Sequence, residues 1–286
     1  MRRLYFIAIC SWFAVQAAQA QELNPGSVLY TLRKSTLDAT TDQERKQQNE
    51  AFKKELTKAL EQKKVADLTQ DSIPNLGILL APDRQFTLYT WNWITEDGAF
   101  VYDCLIRFKN GKILSLHDQS DHMPTPELQQ CQAKNWYGAL YYDIITTKSK
   151  VQGKYYMLLG WDGNTPTSTR KIIEVMYYDE IREDWFFGKK VFGPPFRDRM
   201  RFFLEYSADV VVSVKYHSKS NRIVFDHLVP SNPGLEGIYD FYVPDLSFDA
   251  FEFRKDYWYF IQNVDIRGEQ TMDNYTTPET EIEIKP

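Results

Sequence analysis

The sequence predicts a mainly β protein, an antiparallel meander of about a dozen strands with one helix near the N-terminus. Aromatic residues make up 15% of the chain, and aromatic and β-branched side chains pack well on a pleated sheet. From residue 74 onward, apolar side chains recur with period two in short runs. Turn residues such as Asn110-Gly111 separate these runs, and neighbouring strands joined by tight turns pair antiparallel.

Such a meander must protect its strand edges by stacking on a second sheet, by closing, or by radial repetition. We favour an irregular arrangement of several sheets, with a propeller-like fold as the alternative. The turn Ala81-Pro82-Asp83 and the dipeptide Trp161-Asp162 resemble the ends of propeller blades. However, Trp91 and Trp161 are 70 residues apart, which exceeds one blade of roughly 40–45 residues.

The N-terminus predicts export. Arg2 and Arg3 precede an apolar run over residues 4–15, and Ala18-Gln19-Ala20 gives the small-x-small pattern that signal peptidase cleaves. We therefore interpret residues 1–20 as a signal peptide and expect the mature chain to be periplasmic or extracellular. The apolar run is too short to span a bilayer, and no later run is long enough, so we expect no transmembrane span.

Three further segments follow the leader: a lead-in with an amphipathic helix (21–73), a β domain (74–264) and a polar tail (265–286). The helix is predicted over 41–66. Thr41 and Glu44 fit a capping box, and Phe52, Leu56 and Leu60 recur every four residues as one apolar stripe. Such a stripe packs on the main domain or, alternatively, binds a partner.

The net charge and the absence of known motifs argue against several classes of function. The formal net charge is −5, and it becomes −7 when Arg2 and Arg3 leave with the leader. Because the chain has no basic stripe, we expect no nucleic-acid partner. Patterns for a P-loop, a dinucleotide site, a redox Cys-x-x-Cys pair or a His-Glu-x-x-His metal site do not occur. We therefore predict no cofactor.

Cys104 and Cys131 are the two cysteines beyond the leader. An even pair in an exported protein favours a disulfide. It would close a loop of 28 residues and stabilise the fold by roughly 3–4 kcal/mol. Two unpaired, buried thiols are the alternative.

Three local patterns are weak candidates for chemistry. His117 and His122 flank two aspartates and could ligate a metal, but their spacing fits no established site, so we predict no metal. Asp226 and His227 could form an acid–base pair, although neighbours on one strand point to opposite faces. Asp162, followed by Gly163 and Asn164, is explained more simply as a turn residue.

The main functional hypothesis is a non-catalytic binding or structural protein that recognises an envelope protein or a glycan. Exposed tryptophan on a strand would supply a stacking surface, and the strand tryptophans to inspect are Trp91, Trp136, Trp161 and Trp185. The alternative is a hydrolase of envelope polysaccharide, which needs two carboxylates facing each other. The candidate acids are Asp162, Glu174, Asp179, Glu183 and Asp184.

Five stretches carry a family resemblance: LGILLAPD (76–83), FTLYTWN (86–92), WYGALYY (136–142), YYMLLGWDGN (155–164) and IVFDHL (223–228). Together they resemble a group of uncharacterised exported bacterial proteins, over about residues 74–260. The resemblance implies export and bacterial origin. No activity, cofactor or catalytic residue is known for that group, so it assigns no site residue here.

Overall fold

The computed structural model describes residues 25–64, 68 and 72–266. The predicted helix is present as α2 (Asp42–Glu61), and the Thr41 hydroxyl caps it by accepting the Glu44 N–H at 3.3 Å. A second helix, α1 (Pro25–Asp38), lies within the lead-in, where the sequence analysis identified no helix.

Tertiary contacts rather than an apolar stripe account for α1. Its buried face includes Leu29 but also Arg33, which is fully buried. The Arg33 guanidinium donates to the carbonyl oxygens of Pro74 (3.1 Å) and Asn92 (2.6 Å). A buried arginine interrupts the helical apolar pattern, so periodicity in the sequence does not reveal this helix.

Fourteen strands lie in the described part of the chain, and every pairing between them is antiparallel. Sheet 1 has the order β1-β2-β3-β4, from β1 (Gly77–Leu80), β2 (Phe86–Ile94), β3 (Phe100–Phe108) and β4 (Ile113–His117). Sheet 2 has the order β5-β9-β8-β7-β6, with β10 also paired to β8, from β5 (Cys131–Gln132), β6 (Leu140–Ser149), β7 (Gly153–Asp162), β8 (Ser168–Asp179), β9 (Asp184–Phe187) and β10 (Phe202–Ser207). Sheet 3 has the order β11-β12-β13-β14, from β11 (Val214–His217), β12 (Arg222–Pro230), β13 (Tyr242–Arg254) and β14 (Tyr257–Ile261). The mainly β prediction is confirmed.

The helices and the three sheets stack as layers. In β3, Leu105 packs toward the helices with Phe52 and Trp91, whereas Cys104 and Ile106 pack toward sheet 2. A further core, between sheets 2 and 3, contains side chains from β7, β8, β12 and β13. Sheet 2 is thus covered on both faces, which explains the unbroken apolar run of residues 155–159. The sheets form layers rather than the blades of a propeller.

The predicted hairpins at Asn110-Gly111 and at residues 162–164 are present, with positive φ at Gly111 (90°) and Asn164 (50°). The apolar runs at 200–206, 210–217 and 222–228 predict three successive strands of one meander. The first of them, β10, instead pairs with β8 in sheet 2, and only β11 and β12 pair with each other. The irregular segment between β10 and β11 lets the chain pass from one sheet to the next.

Lys171 on β8 gives a test of the packing between sheets 2 and 3. Burial lowers its pKa to about 8, although the charge of Asp226 opposes the shift. Because an unfolded lysine has a pKa near 10.4, the unfolded chain binds more protons between these values. We expect the free energy of unfolding to rise by about 1–2 kcal/mol as pH increases from 8 to 10.4. Lowering the pH through 8 removes this gain, because lysine is then protonated in both states.

Chemical denaturation at pH 7.5 and 9.5 measures this effect. Lys171→Met should abolish its part of the pH dependence, whereas Lys215→Met, which removes an exposed ammonium, should leave the dependence in place. Equal pH profiles for both variants would contradict the assignment to Lys171.

The predicted leader (1–20) lies outside the described residues, as does most of the predicted tail, from residue 267 onward. Among the helices that the structure describes, none is long and apolar enough to cross a membrane.

Candidate ligand-binding cleft

A cleft of about 840 Å³ opens where sheets 1 and 2 meet. Turns from both sheets surround it: β1–β2, β3–β4, β6–β7 and β8–β9. Seven of its lining residues come from these turns or from just after β9: Gln85, Lys109, Asn110, Lys112, Gln152, Glu180 and Lys189. The Lys109 N–H donates to the Gln85 carbonyl at 2.8 Å, which fixes the β3–β4 turn against the β1–β2 turn.

Aromatic rings form one wall of the cleft. Trp185, which is partly exposed, stacks on Phe108 with ring centroids 4.9 Å apart and planes 21° apart. Tyr178 lies 5.4 Å from Trp185 and is 37% exposed. By contrast, Trp91 and Trp136 are fully buried. Trp185 is therefore a partly exposed strand tryptophan that can offer a stacking surface to a sugar in the cleft.

The cleft is basic although the chain is acidic. Its lining includes four lysines, Lys109, Lys112, Lys154 and Lys189, and one acid, Glu180. Lys109 and Lys112 are exposed and flank Asn110-Gly111. Among the described residues neither side chain forms an ion pair or a hydrogen bond. Both ammonium groups are thus available to an anionic ligand.

The other two lysines are held by the protein. Lys154 Nζ lies 2.5 Å from Asp83 Oδ2, and the Tyr156 hydroxyl donates to the same oxygen at 2.9 Å. Burial acts to lower the pKa of Lys154, but the hydrogen bonds with Asp83 and Tyr156 raise it overall. Lys189 Nζ donates to the Gln152 carbonyl at 2.6 Å, and burial lowers its pKa although Asp179 opposes this. These two lysines therefore shape the wall of the cleft, and the charge of Lys154 is balanced by Asp83.

Asp162 lies in a buried polar network, away from the cleft. Its carboxylate accepts hydrogen bonds from the hydroxyls of Tyr102 (2.9 Å) and Tyr137 (2.6 Å) and from the Asn164 N–H (2.9 Å). Burial and then the Asp162 charge raise the pKa of both tyrosines. Arg170 extends the network by donating to the Tyr137 hydroxyl at 3.1 Å. The turn interpretation of Asp162 is therefore incomplete, because the side chain also ties sheet 1 to sheet 2.

Glu174 is fully buried in an ion pair with Arg201, with Oε2 2.7 Å from Nε. Burial raises the pKa of Glu174, although the Arg201 guanidinium opposes this. Arg201 also donates to the carbonyl oxygens of Pro126 and Gln129. The pair thereby attaches the loop before β5 to β8, and neither group opens to the cleft.

The remaining acids considered for hydrolysis lie at the β8–β9 hairpin. Asp179 and Asp184 are opposite each other in the register, and Asp179 accepts the N–H groups of Arg182 and Ile181. These backbone hydrogen bonds lower the pKa of Asp179, whereas a general acid needs a raised one. Asp184 accepts from Gln132 Nε2 at 2.9 Å, and Glu183 is exposed in the turn. Their contacts are those of turn residues.

In the segment from His117 to His122, the Asp118 carboxylate faces the protein interior. Asp118 accepts hydrogen bonds from the N–H groups of Tyr102 (3.0 Å), Ser120 (3.0 Å) and Gly138 (3.2 Å). His117 and His122 are exposed. In the part of the chain that the structure describes, no group of three or more His, Cys, Asp and Glu side chains is placed to hold a metal ion.

His227 is oriented by a carboxylate other than its neighbour. Its Nδ1 lies 2.7 Å from Oδ2 of Asp249 on β13, whereas Asp226 accepts the Ser213 N–H at 2.7 Å. The β-bulge between Asp226 and Leu228 allows this contact. Within the described residues no hydroxyl or thiol is hydrogen-bonded to the imidazole, so the pair lacks a nucleophile.

The predicted disulfide is not present: Cys104 and Cys131 are both free and buried. Cys104 lies in β3 of sheet 1, and Cys131 lies in β5 at the edge of sheet 2. The Cys131 sulfur is instead 3.3 Å from Arg201 Nη2 and 3.8 Å from Met123 Sδ. Burial is the main cause of a raised pKa at both thiols.

Buried thiols with raised pKa react slowly, because the thiolate is the nucleophile. We expect a disulfide reagent to modify neither Cys104 nor Cys131 in the native protein, and to modify both after denaturation without any reductant. Mass spectrometry of the modified chain measures this. If the denatured chain were modified only after reduction, Cys104 and Cys131 would form a disulfide and the prediction would be wrong.

Comparison with known proteins finds no match among family models, curated proteins or solved structures. Function is therefore inferred from the geometry and charge of the cleft. The sequence indicates Trp185 as a candidate stacking residue but does not distinguish the lysines. The signal available was the Lys-Asn-Gly-Lys sequence of the β3–β4 hairpin.

Proposed function

We propose that this chain is a non-catalytic binding protein of the bacterial envelope, and that the cleft at Trp185 binds a saccharide carrying a negative charge. The observation that carries the proposal is the combination of an aromatic wall, with Trp185 partly exposed and Tyr178 exposed, and Lys109 and Lys112, whose charges have no partner among the described residues. Aromatic rings stack on the apolar faces of sugars, and ammonium groups pair with carboxylate, sulfate or phosphate. The predicted export places the protein where such glycans occur.

A binding assay with matched charge variants tests this proposal. By isothermal titration calorimetry we expect an acidic disaccharide such as digalacturonate to bind, and a neutral disaccharide of the same linkage to bind more weakly. Lys109→Gln with Lys112→Gln should weaken acidic-disaccharide binding roughly tenfold, about 1.4 kcal/mol. The affinity should also fall with salt, because exposed charges are screened.

The matched control is Lys46→Gln with Lys54→Gln, which removes two exposed charges from helix α2. It lowers the net charge by the same amount but lies outside the cleft lining. Equal losses of affinity in the two double variants would show that overall charge, and not the cleft, controls binding. That result, or no binding of the acidic disaccharide, would reject the proposal.

A further inference from the structure

A second, smaller pocket adjoins the cleft. It has a volume of about 430 Å³ and is lined by Lys190, Phe192, Arg197, Tyr257 and Tyr259 among others. Gln152 lines both the cleft and this pocket. The consecutive residues Lys189 and Lys190 likewise divide between them, with Lys189 in the cleft and Lys190 in the pocket. The two cavities therefore adjoin at the β6–β7 turn, with the cleft between sheets 1 and 2 and the small pocket beside β14 of sheet 3.

The small pocket repeats the chemistry of the cleft. Tyr257 and Tyr259 supply aromatic surface, and no acid is among its lining residues. Arg197 is exposed and, within the described residues, forms no ion pair. Lys190 Nζ is 3.3 Å from Asp198 Oδ1, in a pair whose side chains are 54% and 88% exposed. So exposed a pair is weak, and Lys190 can exchange Asp198 for a ligand anion.

Gln152 lies between the two cavities and contacts a residue of each. Its backbone carbonyl accepts from Lys189 Nζ at 2.6 Å, and its side-chain Nε2 is 3.4 Å from the Tyr257 hydroxyl. Gln152 is only partly buried. A linear ligand that extends past Gln152 would contact aromatic and basic side chains on both sides of this residue.

We propose that the cleft and the small pocket are successive subsites of one groove, and that the ligand is a linear glycan with a negative charge on successive sugars. This inference rests on the proposed function of the cleft and extends it to the second pocket. A repeated anionic sugar explains why both cavities combine rings with cations. A single small anion would need only the cleft.

Chain length tests the inference. Titration calorimetry with digalacturonate and hexagalacturonate should show that the longer probe binds at least tenfold more tightly to the unmodified protein. Lys190→Gln with Arg197→Gln should remove most of that gain. The control variant, Lys46→Gln with Lys54→Gln, should retain the gain.

The outcomes separate the two proposals. If digalacturonate binds but hexagalacturonate gains nothing, or if the gain survives in Lys190→Gln/Arg197→Gln, the second subsite is wrong and the cleft stands. If neither probe binds, the proposed function fails and this inference fails with it. If hexaglutamate binds as tightly as hexagalacturonate, the groove recognises charge alone and the glycan assignment is overturned.

Discussion

Replacing Arg201 by methionine is expected to lower the free energy of unfolding by about 3–5 kcal/mol. The substitution leaves the Glu174 carboxylate without its cation in a site where neither side chain is exposed. It also removes the donors to the carbonyl oxygens of Pro126 and Gln129, so the loop before β5 loses its attachment. Chemical denaturation followed by circular dichroism measures the loss.

Arg199→Met is the matched control. Arg199 lies two residues away and pairs with Glu127 at 3.4 Å, but its side chain is 38% exposed. An exposed ion pair contributes at most about 1 kcal/mol. Equal losses in the two variants would contradict the structural role of the buried pair.

The loss of unfolding free energy in Arg201→Met, called its stability deficit below, should also depend on pH. Without the guanidinium, burial raises the pKa of Glu174 further above the unfolded value, opposed only by hydrogen bonds from the backbone N–H groups of Val175 and Gly188. The folded variant then binds a proton that the unfolded chain releases, so its stability is present at low pH and lost as pH rises. We expect the deficit to be smaller at pH 5 than at pH 7.

Replacing Asp162 by alanine is expected to cost about 3 kcal/mol, because two buried tyrosine hydroxyls lose their acceptor. Asp162 is 5% exposed, and its carboxylate joins Tyr102 of sheet 1 to Tyr137 of the segment before β6. Thermal and chemical denaturation give the loss. In the Asp162→Ala background, Tyr102→Phe should cost less than it does alone, since the hydroxyl has already lost its acceptor and keeps only the bond that it accepts from the Gly163 N–H at 2.8 Å.

Asp97→Ala provides the comparison for Asp162. Asp97 is an exposed turn residue between β2 and β3 whose carboxylate accepts from Thr95 and Ala99. Water can replace those bonds, so the expected loss is below about 1 kcal/mol. A loss of that size at Asp162 would mean that its network contributes little to the contact between sheets 1 and 2.

Local signals in the sequence predicted local structure well. Thr41 caps α2, Asn110-Gly111 forms a hairpin, and residues 162–164 form a turn, because each depends on a few neighbouring residues. Helix α1 was not predicted, because Arg33 occupies a core position and interrupts the apolar pattern. Its hydrogen-bond acceptors, the carbonyl oxygens of Pro74 and Asn92, lie far along the chain.

Long-range pairing explains the other differences. The strand β10 joins β8 across some thirty residues of sequence, and Cys131 pairs with Arg201 rather than with Cys104. The partner of His227 is Asp249 on the next strand. Cysteine number and strand pattern specify none of these partners, because they are fixed by the stacking of the sheets.

The candidate site could be predicted only in part for the same reason. Trp185 was a candidate because an exposed strand tryptophan suits a glycan. To predict the basic lining of the cleft, one must know that the β3–β4 turn with Lys109 and the segment after β9 with Lys189 lie close together. No single stretch of the sequence contains both the rings and the lysines.

The most direct test of the cleft is an NMR titration of protein labelled with ¹⁵N at its tryptophans, since each indole N–H gives its own signal. Upon addition of digalacturonate, the Trp185 indole signal should shift. The signals of the buried Trp91, Trp136 and Trp258 and of Trp161, partly exposed but outside the cleft lining, should stay in place. A shift at Trp161 with none at Trp185, or no shift at any indole at saturating digalacturonate, would contradict a saccharide site in this cleft.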